Sequence, residues 1–184
     1  MLSTEDTTAP IKTILTDNID NYGLSDVSYE ITYNKTGILS LKFFLEGCGA
    51  YCSSWYECFN FDLNSGRRIT IEDLITEDSL EGFKKMVFQN KLEALNRYKN
   101  EELKIDSSNH VDSATYDWAL EQLAYCFEEV HLDNYYLLPG KLEILDPCEF
   151  AHAIRPLEPN YSLDYSYQTL EAYLKPQFRK LISK

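Results

Sequence analysis

Three cysteines, Cys48, Cys52 and Cys58, fall within the segment "EGCGAYCSSWYECFNF" and are the densest cluster of reactive side chains in the chain. Thiolates at this spacing offer four kinds of chemistry. Zinc takes four ligands from pairs two to four residues apart. Cys48 and Cys52, followed by Cys148 and His152, form one candidate set. A disulfide joining Cys48 to Cys52, or one of them to Cys148, is a second possibility and requires an oxidising compartment. Buried free thiols acting as small hydrophobes are a third. Cys58 lies in an alternating apolar pattern and Cys126 on a helical apolar stripe, so both are expected to be buried and reduced. A nucleophilic cysteine, the fourth, needs a base and positive surroundings, which this acidic chain offers sparsely. With 5 cysteines, at least one has no partner within the chain. The expectation is therefore no metal and no cofactor, with Cys48, Cys52, Cys148 and His152 as the alternative metal set.

Other enzyme signatures are missing. No phosphate loop, dinucleotide glycine fingerprint, serine-nucleophile elbow or paired-histidine zinc helix occurs. The 3 histidines, His110, His131 and His152, are scattered. No residue is assigned a catalytic role.

Charge and aromatic content point to binding. Acids outnumber bases 30 to 17, for a net charge of −13. The imbalance is concentrated from Asp112 to Glu171, where twelve acids face two bases, Lys141 and Arg155. Such a surface repels nucleic acid and speeds encounter with a basic protein. The 14 tyrosines suit both core and contact surfaces. Gly47 and Gly49 permit a bend or bulge that would push Tyr51, Trp55 and Tyr56 to one rim; burial in the core is the alternative for the same three. The expected partner-binding residues are Tyr51, Trp55, Tyr56, Asp133, Tyr135, Tyr136, Glu143, Asp146 and Glu149.

The elements that position these residues follow from periodicity. Residues 1–25 read as a loose lead-in that could hold one short helix, and residues 26–184 as a single α+β binding domain. "DVSYEITYNKTGILSLKFFLEG" is a hairpin around "NKTG", with Gly37 suited to positive φ. "WYECFNFDL" and "RRITIEDLI" continue it into an antiparallel β-meander of about four strands. The period then changes. Leu80, Phe83, Val87, Leu92 and Leu95 mark one helix, with Thr76 as its N-cap. Trp118, Leu120, Leu123, Cys126 and Phe127 mark a second. "NYYLLPGKLEIL" and "NYSLDYSYQTL" are further antiparallel strands. A short C-terminal helix starts near Gln168, with Pro176 interrupting or kinking it. The fold class is α+β.

The stretch "YNKTGILSLKFFLEGCGAYC" and the later "FNFDLNSGRRITIEDLI" carry a resemblance. With Asn60, Phe61, Asp62, Leu63, Gly66, Ile69, Leu74 and Ile75, and then Ser166, Tyr167, Leu170, Tyr173 and Leu174, they resemble a bacterial domain family of unknown function. That family occurs in the extracellular part of lysozyme-sensing anti-sigma factors and beside peptidoglycan deacetylase domains. "CEFAHAIRPL", with Cys148, His152 and Arg155, is similar to a variant of it. The resemblance spans about residues 26–175 and implies an α+β fold with a binding role rather than chemistry.

The expected function is thus a non-enzymatic bacterial protein-binding or inhibitor domain, of the immunity type, that neutralises a basic toxin. Two other readings remain open: an envelope module binding lysozyme or cell wall, and a small metal- or thiol-dependent enzyme. "MLSTEDTTAP" has no basic start or apolar core, and no run is long enough to insert in a membrane. The expected location is cytoplasmic, or periplasmic or extracellular if a leader was removed.

Overall fold

The computed structural model describes residues 23–106 and 111–182; the lead-in up to residue 22 and His110 lie outside the described residues. Four antiparallel strands form the meander: β1 (Leu24–Lys35), β2 (Ile38–Cys48), β3 (Cys52–Asp62) and the two-residue β4 (Arg67–Arg68). The β1–β2 connection is the expected tight turn, with Thr36 at φ 53° and Gly37 at φ 78°. Positive φ at both central residues gives the turn the twist of the flanking strands.

The β2–β3 ladder runs without interruption from Ile38↔Asp62 to Cys48↔Cys52. Gly47 pairs in register with Ser53, so the expected bulge is absent there; the register shifts lie in the β1–β2 ladder instead. One of them, between Ile31 and Tyr33, changes which way β1 faces. Val27, Tyr29 and Ile31 are exposed, whereas Thr32 and Tyr33 are buried.

After β4 the chain departs from the expected strand. The side chain of Asp73 accepts from the backbone N–H of Thr70, closing a capping box at a one-turn helix, α1 (Ile71–Leu74). Strand-like residues lose to cap chemistry here. Thr76 opens a 3₁₀ turn, Glu77–Ser79, rather than capping the long helix, which follows as α2 (Leu80–Arg97). The next helix, α3 (Ser113–Cys126), is capped by Asp112, whose carboxylate accepts from Thr115 N–H. Its inward face is centred on Ala119 and Leu123, while Trp118 is 39% exposed. Leu120, Cys126 and Phe127 pack against this face as expected, so the apolar stripe holds except that Ala119 takes the inward place expected for Trp118.

A second, three-stranded antiparallel sheet follows: β5 (Tyr135–Leu138), β6 (Lys141–Ile144) and β7 (Leu163–Ser166). β7 ends where Ser166 caps α4 (Tyr167–Leu170). Pro176 stands at the first position of α5 (Pro176–Ile182), where its missing N–H is harmless, so it starts a helix instead of kinking one.

The main core joins Phe83 and Val87 of α2 to Leu137, Leu142 and Tyr165 of the second sheet, and to Ile38 and Ile69 of the meander. A second cluster packs Leu95, Ala119 and Leu123 against Cys148, Phe150 and Ile154. The two sheets are also joined by polar groups. Ser40 Oγ accepts from Leu137 N–H, and the Asn60 amide donates to Tyr135 C=O.

Candidate functional site

The Cys48–Cys52 disulfide closes the tip of the β2–β3 hairpin and brackets Tyr51. Tyr51 is 69% exposed, and its ring stacks on His152 at 4.8 Å. His152 belongs to a 3₁₀ segment, His152–Leu157, reached by the irregular stretch that follows β6. In the same segment Arg155 donates to Ser53 Oγ and pairs with Glu158 at 3.7 Å. The hairpin tip and this stretch thus face each other across a groove of about 930 Å³.

The groove is lined by side chains from both faces of β3, Trp55 and Glu57 on one and Ser54 and Tyr56 on the other. Successive strand residues point to opposite faces, so a groove lined by both runs along the strand's edge. Asn134, just before β5, stands on that edge. Its side-chain amide donates to Tyr56 C=O and accepts from Cys58 N–H, at 2.8 and 2.9 Å. The facing wall comes from residues 143–149 and 158–162, including Glu143, Glu149 and Tyr161.

Carboxylates dominate the charge. Glu57 has its pKa raised, first by burial and then by Asp133, with Arg68 opposing. Glu57 and Glu149 form no ion pair among the described residues, whereas Glu143 shares Lys141 at 3.6 Å with Asp164. The Lys42 ammonium sits 4.3 Å from the Tyr56 ring centre and 4.7 Å from that of Tyr136, which orients both rings by cation–π attraction.

Of the residues expected to bind a partner, Tyr51, Trp55, Tyr56, Glu143 and Glu149 line this groove together. Trp55 is half-buried, and Tyr56 is 46% exposed. Asp133 is exposed but belongs to a separate hollow of about 510 Å³ beside Arg68 and His131. Tyr135 and Tyr136 are corrected: they are buried, at 2% and 6% exposure, because β5, the edge strand of the second sheet, packs against β1, β2 and β3 of the meander. The Tyr135 hydroxyl donates to Ile69 C=O inside the core. Asp146 is corrected as well. It adjoins the groove, but its carboxylate turns inward to Lys91, at 2.7 Å, leaving the side chain 5% exposed.

The cysteines resolve unevenly. Cys58 is free and 2% exposed, and burial pushes its thiol up to about 12. Cys126 is not a free thiol; it is bonded to Cys148, 22 residues on. Its helical position does face apolar neighbours, but the segment after β6 passes beneath the end of α3 and brings a second sulfur to it. The alternative set Cys48, Cys52, Cys148 and His152 is thereby split between two disulfides and an aromatic stack. Among the described residues, no group of three or more His, Cys, Asp and Glu side chains is placed to hold a metal ion. No helix among them is long and apolar enough to cross a membrane.

Sequence reasoning missed Glu57, Asn134, Arg155 and Tyr161 as groove residues. All but Glu57 lie outside regular elements or in short ones, where periodicity carries no positional signal. Glu57 alternates with apolar residues and reads as an ordinary solvent-facing strand residue.

Sequence comparison finds no matching family model and no matching curated protein. Structural comparison gives the fold. A solved structure of a DUF3298 family member from Bacteroides fragilis NCTC 9343 aligns with a TM-score of 0.55 at 14% identity, over 98% of this chain and 69% of that one. A DUF3298 family protein from Pseudomonas aeruginosa PAO1 aligns with a TM-score of 0.47 at 17% identity, over 90% and 70%. In fold, the chain is similar to the Bacteroides structure of a bacterial domain family of unknown function.

Proposed function

We propose that the domain is a non-enzymatic binding module that holds a basic protein in the groove between the β2–β3 hairpin and the wall formed by residues 143–162. The supporting observation is the convergence in one groove of Tyr51, Trp55 and Tyr56 with Glu57, Glu143 and Glu149, two of whose carboxylates lack an ion-pair partner among the described residues. Exposed aromatic rings give contact area at low entropic cost, and unpaired carboxylates beside them select for cationic side chains. A buried thiol with a raised pKa makes a poor nucleophile, so the thiol-enzyme reading gains no support from Cys58.

Two partner classes fit a basic protein: a toxin, for an immunity-type inhibitor, and lysozyme, for an envelope module. The disulfides Cys48–Cys52 and Cys126–Cys148 favour the second, since such bonds persist in oxidising compartments. A photo-crosslinking amino acid at Tyr51, introduced in the producing organism, tests the reading. The expected result is covalent capture of one protein of high pI, abolished when Glu143 and Glu149 are both changed to Lys. Capture of an acidic protein, or capture indifferent to those changes, would contradict it.

A further inference from the structure

The outward edge of β3 ends in an unfinished ladder. Main-chain groups of alternate strand residues point to the same side. Cys58 N–H and Tyr56 C=O meet the Asn134 amide, and Asn60 C=O accepts from Ile69 N–H at 2.7 Å. Even-numbered residues of β3 therefore turn their main chain away from β2. The next in line are Tyr56 N–H and both main-chain groups of Ser54, and none has a partner among the described residues. β4 covers only Phe61 and Asp62. A primary amide carries the same donor and acceptor as a peptide group, so Asn134 fills the place of one residue of an absent strand. Beyond it the edge stays open along the groove, and Ser54 is exposed.

We infer that this edge is a strand-addition site, where an extended basic segment of the partner continues the ladder that Asn134 begins. The inference rests on the groove reading above and specifies how the groove is filled. Natural sheets usually blunt an open edge with lysine, proline or a bulge; none of these occurs between Cys52 and Tyr56. An added strand sends alternate side chains to opposite faces. One set would meet Trp55 and Glu57, the other Tyr56. That pattern fits alternating cationic and apolar residues. A second copy of this chain is disfavoured as occupant, because it would bring another net charge of −13 to a groove already dominated by carboxylates.

The test uses an acetylated, amidated octapeptide of alternating lysine and valine, with the full chain kept oxidised. Binding is followed by fluorescence and by the backbone amide signals of Ser54 and Tyr56. The expected result is association with a selective shift and exchange protection of those two amides. Two further peptides carry N-methyl groups on every lysine or on every valine. Only one set of amides can face the edge, so one peptide should lose at least tenfold in affinity and the other should bind nearly as the parent. Ser54→Pro removes the outward N–H while leaving the β2 ladder intact, and should weaken the parent peptide at least tenfold. Equal affinities for the two methylated peptides would overturn strand addition, and so would the absence of parent-peptide binding at millimolar concentration. The methylated pair decides the matter even if Ser54→Pro folds poorly. If a basic protein is held equally by wild type and a folded Ser54→Pro, yet charge reversal of Glu143 and Glu149 slows it, pairing falls and the groove reading stands. If charge reversal has no effect and no basic protein binds, both fall.

Discussion

Lys91 Nζ lies 2.7 Å from Asp146 Oδ2, and both side chains are almost fully buried, at 4% and 5% exposure. Lys91 also donates to Glu129 C=O, and the other carboxylate oxygen of Asp146 meets His131 Nδ1 at 3.1 Å. The pair fastens α2 to the end of β6, where the groove wall begins. A buried pair is weak evidence for stability as such, but removing one partner leaves an uncompensated charge. Lys91→Met is expected to destabilise the fold by about 3–5 kcal/mol, and Lys91→Met with Asp146→Leu by much less. Chemical denaturation of wild type, both single variants and the double variant checks this; additive losses would show that the two charges do not act as a pair.

The Cys126–Cys148 disulfide closes a loop spanning 22 residues between α3 and the groove wall. A cross-link of that span is worth about 3 kcal/mol through the unfolded chain. Cys126→Ser with Cys148→Ser should lower stability by roughly that amount. Mass analysis of the unreduced wild type should show one thiol among residues 23–184 that alkylates only after unfolding, and it should map to Cys58. Rapid native labelling of Cys58 would contradict its burial.

Alkaline pH gives a signed prediction. In the folded state burial holds the protons of Cys58 and Tyr165 up to about 12, against ordinary values of 9.0 and 10.0. The unfolded chain therefore releases these protons first. Stability is undiminished below about pH 9 and falls between roughly pH 9 and 12, by about 1.4 kcal/mol per pH unit for each group at most. Cys58→Ala should reduce the slope that begins near pH 9. A denaturation midpoint that is flat from pH 8 to 11 would contradict this linkage.

Gly37 carries the β1–β2 turn at φ 78°, and a Cβ built there would lie 2.5 Å from the Asn64 amide nitrogen. Gly37→Ala should cost about 1–2 kcal/mol, part of it from the left-handed backbone. Asn64→Ala should relieve only the steric part, which a double-mutant cycle measures.

How far the sequence was readable follows from these same residues. The meander, both long helices and the β5–β6 hairpin are visible because alternation or a helical period persists over enough residues. α1 was hidden because Ile69, Ile71 and Ile75 look strand-like, and only the Thr70–Asp73 capping box reveals the turn. Tyr51, Trp55 and Tyr56 were recognisable as a group since they share one hairpin tip. Tyr135 and Tyr136 were misread because a tyrosine in a short strand looks alike whether its neighbour is water or a second sheet. The Cys126–Cys148 bond depends on how an irregular stretch crosses a helix end, and no local pattern encodes that crossing.

The aromatic rings and the carboxylates of the groove should act on different rates. Tyr51→Ala and Trp55→Ala should shorten the life of the complex, each by about 2 kcal/mol or some thirtyfold if central. They should leave the association rate nearly unchanged, and surface plasmon resonance separates the two effects.

The most direct measurement is the association rate of the purified basic partner against salt concentration, for wild type and for Glu143→Lys with Glu149→Lys. Screening acts over a Debye length of about 8 Å at physiological ionic strength. The account predicts a wild-type rate that falls steeply with salt, and a reversed variant several-fold slower at low salt with a flatter dependence. Identical rates and identical salt slopes for the two proteins would contradict a groove that recruits its partner by charge.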